Sequence, residues 1–406
     1  MPPRELLVSS TTSTDASETP TRAIAVLALA SFASAANLRV CDPLLPQMAG
    51  ELGVTIGTAA MVVMAFALAY GVFQIIVGPL GDARGKLKLV VLGSLWAGVA
   101  TVCSAAMPSL GPLVLVRFLG GAGAAAVIPV AIAWIGDVVP YERRQPVLAR
   151  FLSGQILGIV FGQAAGGLLG DLIGWRATLG VLGLLHVAAG LLLLGEMRRL
   201  KIGVPIPERL RWREAWSSAS SMLKGRWARI VLGSTFLEGM VMFGAFAYVG
   251  AELHERFGLS LGVVGAMLAS FGAGALFYAS TAGTLVSRFG QPGLVAIGGI
   301  LLATGYATLG LMTSAWLAPP AIALIGLGYY ALHTTLQTNA TQMAPEARGL
   351  AVSLFAIALF TGQSVGVALA APIMDRYGGR PIFLITAVMI LAIAFWFRRR
   401  LVRQPA

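Results

Sequence analysis

Apolar residues fill this chain in blocks of about 20, separated by short polar turns, with neither strict alternation nor a helical stripe. Blocks of that length carry an α-helix across a bilayer. They begin near Arg22, Gly57, Leu87, Pro112, Val147 and Trp175, and a second series begins near Ala228, Leu261, Pro292, Trp316, Leu350 and Pro381. The pattern predicts an all-α membrane protein of twelve transmembrane helices in two six-helix pseudo-repeats. Residues 1–21, rich in Ser and Thr, are expected to form a disordered cytoplasmic tail. A six-helix bundle is expected over 22–195, a cytoplasmic linker over 196–227, a second bundle over 228–397 and a basic tail over 398–406. No small-residue cleavage site follows the first block, so it is expected to be a retained span.

The two series repeat one another. Shifting Glu142–Arg176 by 204 positions pairs Glu142 with Glu346, Arg144 with Arg348, Gly158 with Gly362 and Gly162 with Gly366. The same shift pairs Asp171 with Asp375, Gly174 with Gly378 and Arg176 with Arg380. At a shift of 205, Gly78, Leu80 and Gly85 fall on Gly283, Leu285 and Gly290. Duplicated halves are typical of secondary transporters, whose substrate lies between the repeats near the membrane midplane.

Composition narrows the class. Of 406 residues, 57% are hydrophobic and 11% charged, against about 25% charged in soluble domains. The 50 glycines suit close helix approach in lipid. The net charge of +12 is concentrated in loops, which sets topology and argues against a nucleic-acid partner. Arg84, Lys86 and Lys88 follow span 2, and Arg143, Arg144 and Arg150 follow span 4. Nine more lie from Arg198 to Arg229, and Arg398, Arg399, Arg400 and Arg403 close the chain. Cations stay on the cytoplasmic side, so both termini and the linker are expected there, with lipid headgroups as their neighbours. Cys41 and Cys103 lie in or beside apolar blocks and indicate neither a disulfide framework nor a metal site. The histidines form no metal-spaced pair, with His186 and His254 read as structural or exposed. The cluster Gly120, Gly121, Gly123 has no strand before it, so no dinucleotide loop is indicated. No Walker motif occurs, and no cofactor is expected.

One polar turn is unusual. Residues 78–89, GPLGDARGKLKL, place Asp82 among Arg84, Lys86 and Lys88, with Gly81 and Gly85 permitting a tight turn. With Gly78, Leu80, Asp82 and Gly85 in this order, the chain resembles the major facilitator superfamily along essentially its whole length after the tail. The resemblance implies that the loop latches the inner gate, with Asp82 pairing to cations of the opposite half. Ala83 stands where that signature usually has Arg. RFLGGAGAAA in span 4 is similar to the family's Arg-bearing motif, with Arg117 in an apolar helix. Gly158, Gly162, Gly166 and Gly167 resemble its antiporter glycine motif, with Gln163 in place of the usual Pro. DPLLP in span 1 matches the drug and metabolite efflux branch, and the overall texture is similar to arabinose-efflux-permease-like members.

Charge inside a bilayer costs about 2.5–3.5 kcal/mol per residue on insertion scales. Arg39 and Asp42 in span 1, Arg117 in span 4 and Glu238 in span 7 incur that cost, and span 10 adds His333, Gln337 and Asn339. The resemblance implies that spans 1, 4, 7 and 10 line a central cavity. These seven residues are therefore the candidates for binding substrate and proton. Arg39 and Asp42 are three apart and can pair, and Glu238 has no cation within a helical turn, which makes it the first candidate for carrying a coupling proton. Efflux members for cationic drugs often carry Asp where this chain has Arg39, so neutral or anionic cargo is expected.

The expected function is proton-coupled efflux of a small molecule (sugar, metabolite or drug) across the inner membrane by a monomer. An uptake symporter or uniporter for a small anionic or neutral metabolite is the alternative. A membrane enzyme or receptor fits less well, because no nucleophile–base cluster and no sizeable soluble domain is present.

Overall fold

Proline, left-handed glycine and capping hydroxyls set the helix ends in this chain. The computed structural model describes residues 20–200, 212–344 and 348–403. Residues 1–19 of the expected N-terminal tail, 201–211 of the linker, 345–347 and the last three residues lie outside that range. Helix α1 (Thr21–Arg39) stops ahead of Pro43, because the residue before a proline disfavours helical backbone. Helix α2 (Leu45–Leu52) ends on Gly53 at φ 63°. The Thr55 side chain then caps α3 (Ile56–Ala59), which leads into α4 (Met61–Val72) and α5 (Gln74–Arg84). Gly85, at φ 96°, makes the turn into α6 (Lys86–Ala105), whereas Gly81 lies inside α5. The expected two-glycine turn is thus a one-glycine turn.

Next come α7 (Leu110–Ala124), α8 (Val127–Val138) and α9 (Tyr141–Arg199), the last broken at Gly174. Helix α10 (Trp212–Lys224) occupies the end of the linker. The second half runs through α11 (Arg226–Glu238), a π-helical turn (Gly239–Phe243), α12 (Gly244–Phe246) and α13 (Val249–Phe257). Ser260 caps α14 (Leu261–Leu268), and α15 (Ser270–Leu311) breaks at Gly290. Helices α16 (Ala318–Gln342), α17 (Arg348–Tyr377) and α18 (Gly379–Val402) complete the bundle.

The described residues are helical with no strand. Among the described residues, nine helices are long and apolar enough to cross a membrane, or ten if α2 and α3–α4, bent by 106°, count as one. Two of these, Arg143–Arg199 and Leu261–Leu311, run 57 and 51 residues and contain the breaks at Gly174 and Gly290. Large apolar side chains such as Trp96, Leu172 and Val388 point outward, as expected of a surface solvated by lipid.

The repeats pack alike. A methyl group on Gly158 would collide with the Phe32 carbonyl, and one on Gly362 with the Phe236 carbonyl. Gly162 meets Ala36 as Gly366 meets Met240. All four glycines sit on residues whose counterparts are 204 positions away, so the sequence shift also holds for the first helix of each half. Small residues let membrane helices approach to backbone contact, and only hydrogen fits at these crossings.

The halves meet along two seams. Helix α4 lies against α17, where the Tyr70 and Phe360 rings stand 4.7 Å apart. The Ser364 hydroxyl also donates to the Met64 carbonyl at 3.2 Å. Helix α9 lies against α14, where Gly167 packs under the Leu261 carbonyl. The bundle end holding Arg22, Glu196, Trp227 and Phe397 is called the near end here, and the end holding Thr55, Asp171 and Asp375 the far end.

Candidate functional site

The α1 terminus places Arg39 and Asp42 inside the bundle, at 3% and 0% exposure. Their charged atoms are 3.7 Å apart, and neither Asp42 oxygen has a hydrogen-bond partner among the described residues. The Arg39 guanidinium lies 4.2 Å above the Phe243 ring. Phe243 closes the π-helical turn, whose carbonyls are used from outside the helix: Met242 accepts from the Tyr306 hydroxyl at 2.6 Å and Val241 from the Thr386 hydroxyl at 3.4 Å. Immediately before that turn, fully buried Glu238 holds its Oε2 3.0 Å from His333 Nδ1. Within its own helix Glu238 has no cation within a turn, and across the bundle an imidazole stands within hydrogen-bond distance of it.

His333 in turn stacks on Tyr329, with ring centroids 4.6 Å apart. Tyr329 stands edge-on to Phe243 at 5.0 Å. Gln337, one turn on from His333, is exposed. Asn339 leaves the group, since its amide donates to Gln291 Oε1 at 3.0 Å and to the Thr335 carbonyl. Arg117 is also committed locally. It donates to Asn37 Oδ1 at 2.6 Å and to the Asn37 carbonyl at 3.0 Å, and it lies 4.3 Å over Phe66. That arrangement braces α7 against α1. Asn37 was not identified from sequence, although a polar side chain two residues before Arg39 in an apolar helix was a legible signal.

The expected pairing of Asp82 with the opposite half is not what the structure holds. Asp82 is 67% exposed and its ion-pair partner among the described residues is Lys86, at 3.2 Å, which also binds Asp137 at 2.7 Å. All three belong to the first half. The cause is the turn at Gly85, which sets Lys86 at the start of α6 within reach of both Asp82 on α5 and Asp137 at the end of α8. Of the antiporter-like glycines, Gly158, Gly162 and Gly166 line the α1 crossing and Gly167 the α14 seam. His186 is buried in α9 and His254 binds the Leu259 carbonyl.

The far end carries residues that the duplication marked without revealing their use. Asp171 accepts from the Leu261 and Gly262 backbone N–H groups at 3.0 and 2.6 Å. Its counterpart Asp375 accepts from the Gly57 N–H and the Thr55 hydroxyl, both at 2.7 Å. Each carboxylate caps the first turn of a helix in the opposite half, where unpaired N–H groups and the helix dipole favour an anion. Among the described residues, no group of three or more His, Cys, Asp or Glu is placed to hold a metal ion.

The family model described as Major Facilitator Superfamily matches residues 27–366 and, separately, 231–406. A chloramphenicol resistance protein of Streptomyces lividans is 29% identical over 391 residues, covering 92% of this chain and 95% of that protein. The inner membrane transport protein YnfM of Escherichia coli is 26% identical, covering 92% and 89%. Among solved structures, the nucleoside transporter NupG (D323A mutant) superposes with a TM-score of 0.76 at 13% identity, covering 92% of this chain and 98% of that one. A bacterial homolog of the human lysosomal transporter Spinster, inward-facing and unoccupied, gives 0.75 at 16% identity, covering 96% and 100%. This chain is a multi-pass membrane transporter, not an enzyme, and it belongs to the Major Facilitator Superfamily.

Proposed function

We propose that the protein exports a small neutral or anionic molecule across the inner membrane in exchange for protons, as a monomer working by alternating access. Counting the two longest apolar segments as two crossings each, and the bent pair as one, gives twelve crossings in two six-helix bundles. The near end then faces the cytoplasm, because Arg84, Lys86, Lys88, Arg398, Arg399, Arg400 and Arg403 cluster there. The carrying observation is the buried Glu238–His333 pair. A lone buried carboxylate would be an uncompensated charge. Beside an imidazole it can gain or lose one proton while the pair stays hydrogen-bonded. Around Asp42, Arg39 and Arg117 set two cations against one carboxylate, which disfavours cationic cargo in that part of the interior. Efflux is supported by the likeness to the chloramphenicol resistance protein.

Inverted vesicles with an acidified lumen test the reading, with radiolabelled chloramphenicol and uridine as tracers. The expected result is accumulation of a tracer by wild type and none by Glu238→Gln, which still exchanges tracer when no gradient is present. Full gradient-driven accumulation by Glu238→Gln removes the coupling assignment.

A further inference from the structure

The contact between Arg39 and Phe243 has a special position. The numbers differ by 204, the shift that relates the two repeats, so the residues occupy equivalent places in their halves. Equivalent positions that touch each other lie on the axis relating the halves. The contact therefore sits in the middle of the seam that must part if the far end opens. In one repeat the place is filled by a cation, in the other by a ring.

From that point an unbroken path leads to Glu238. The Arg39 guanidinium rests on Phe243, Phe243 meets the edge of Tyr329, and Tyr329 stacks on His333, which binds Glu238. The path also closes along the backbone, since Glu238 and Phe243 flank the π-helical turn. Single π-turns inside α-helices occur frequently at functional sites. The far side of the path is under-satisfied: Arg39 Nη1 and both Asp42 oxygens lack hydrogen-bond partners among the described residues, as does Glu238 Oε1. Buried ions held this loosely depend on neighbours to stay where they are.

We propose that Phe243 and Tyr329 are positioning residues that join the Glu238–His333 pair to the Arg39–Asp42 pair, so that the charge carried by the first sets the closure of the far-end seam through the second. A change at Glu238 alters what His333 presents to Tyr329. Tyr329 sets the tilt of Phe243, and Phe243 either holds the Arg39 guanidinium or lets it go. Other groups face this path. From the first half, Arg117 and Cys41 lie within electrostatic reach of Asp42. From the second, Tyr306 and Tyr330 lie within reach of Arg39. None of these connects the two carboxylates by direct contact. The proposal rests on the assignment of Glu238 as the proton site, but its test needs neither substrate nor proton flux.

The test is a mutant cycle on seam opening. Ser109 and Ser314 are exposed between far-end helices, one in each half. Nitroxides on S109C and S314C, in a Cys103→Ser background, report the open-to-closed ratio by pulsed electron resonance. Glu238→Gln is expected to change that ratio about fivefold or more, the lower end of usual coupling between sites. It should do so also in Tyr329→Phe, which keeps the ring. In Tyr329→Leu and Phe243→Leu the response should fall below about twofold. If Tyr329→Leu does not fold, Phe243→Leu carries the comparison. An equal response in all backgrounds overturns the proposal, and so does no response in the parent protein. A retained response together with full gradient-driven transport by Glu238→Gln would leave the link standing and remove the coupling assignment instead.

Discussion

The far end and the middle of this bundle descend from the same duplication and have kept very different amounts of it. At the far end Asp171 and Asp375 perform the same act in opposite directions, each accepting two hydrogen bonds from the first turn of a helix in the other half. In the middle, the register pairs Arg39 with Phe243, Asp42 with Phe246 and Ser34 with Glu238, and no pair shares its chemistry. At the far end each half grips the other in the same way, so symmetry is retained there. On the reading proposed above, a site that distinguishes proton from cargo gains from dividing the tasks, one half keeping an arginine–aspartate pair and the other an acid, an imidazole and rings.

The sharpest way to break this comparison is at the most asymmetric pair. Glu238→Gln should lower gradient-driven flux by about a hundredfold or more, the scale on which loss of a proton-transferring group is felt. Ser34→Ala, at the equivalent place, should leave flux within about twofold. Tracer uptake into vesicles measures both, and equal effects would mean that the middle is symmetric after all.

The glycine crossings give the opposite expectation. Gly158→Val and Gly362→Val each drive a side chain into a carbonyl of the neighbouring helix, a forced misfit of about 1–3 kcal/mol. Both should lower the melting temperature in detergent by similar amounts. A loss confined to one of them would show that the repeats have drifted in packing as well as in chemistry.

Asp171→Asn and Asp375→Asn sharpen the far-end half of the comparison. Hydrogen bonds to a charged acceptor contribute about 1.5–3 kcal/mol, and an amide replaces only part of that. Each variant should raise the open-to-closed ratio between labels at 109 and 314 about tenfold. The double variant should be close to additive, since the two sites share no partner. The smallest effect is expected at Asp82, whose pair with Lys86 is solvent-exposed. Asp82→Asn should cost under about 1 kcal/mol of stability by thermal melting. A fall in transport rate well beyond that cost would restore to this loop a gating role beyond its local pair.

Much of the fold was legible because the bilayer leaves little choice: apolar blocks of membrane length must be helices, and the repeat shift survived in glycines that no larger residue can replace. The helix beginnings at Leu261 and after Gly174 were readable for that reason. Arg39, Asp42, Arg117, Glu238 and His333 stood out as polar residues in apolar surroundings. Their partners did not. Phe243 and Tyr329 look like ordinary span residues until the fold brings them between charges, and Asn37 answers Arg117 from 80 positions away. The Asp82 pairing failed on the same ground, since chain order gives no way to choose between a cation four residues on and one in the other half.

The far-end contacts also bear on what inheritance can record. Their donors are mostly backbone amides, at Leu261, Gly262 and Gly57, and every residue but proline carries an amide. The side chain at 261 takes no part in the hydrogen bond that its amide gives to Asp171. The two glycines differ, because a methyl at 57 would come within 2.7 Å of the Asp375 carboxylate and one at 262 within 3.1 Å of the Asp171 carboxylate. A comparison of related chains would therefore show the two acids and the small residues against them as fixed and position 261 as changeable, a lock written in the sequence partly by what is missing from it.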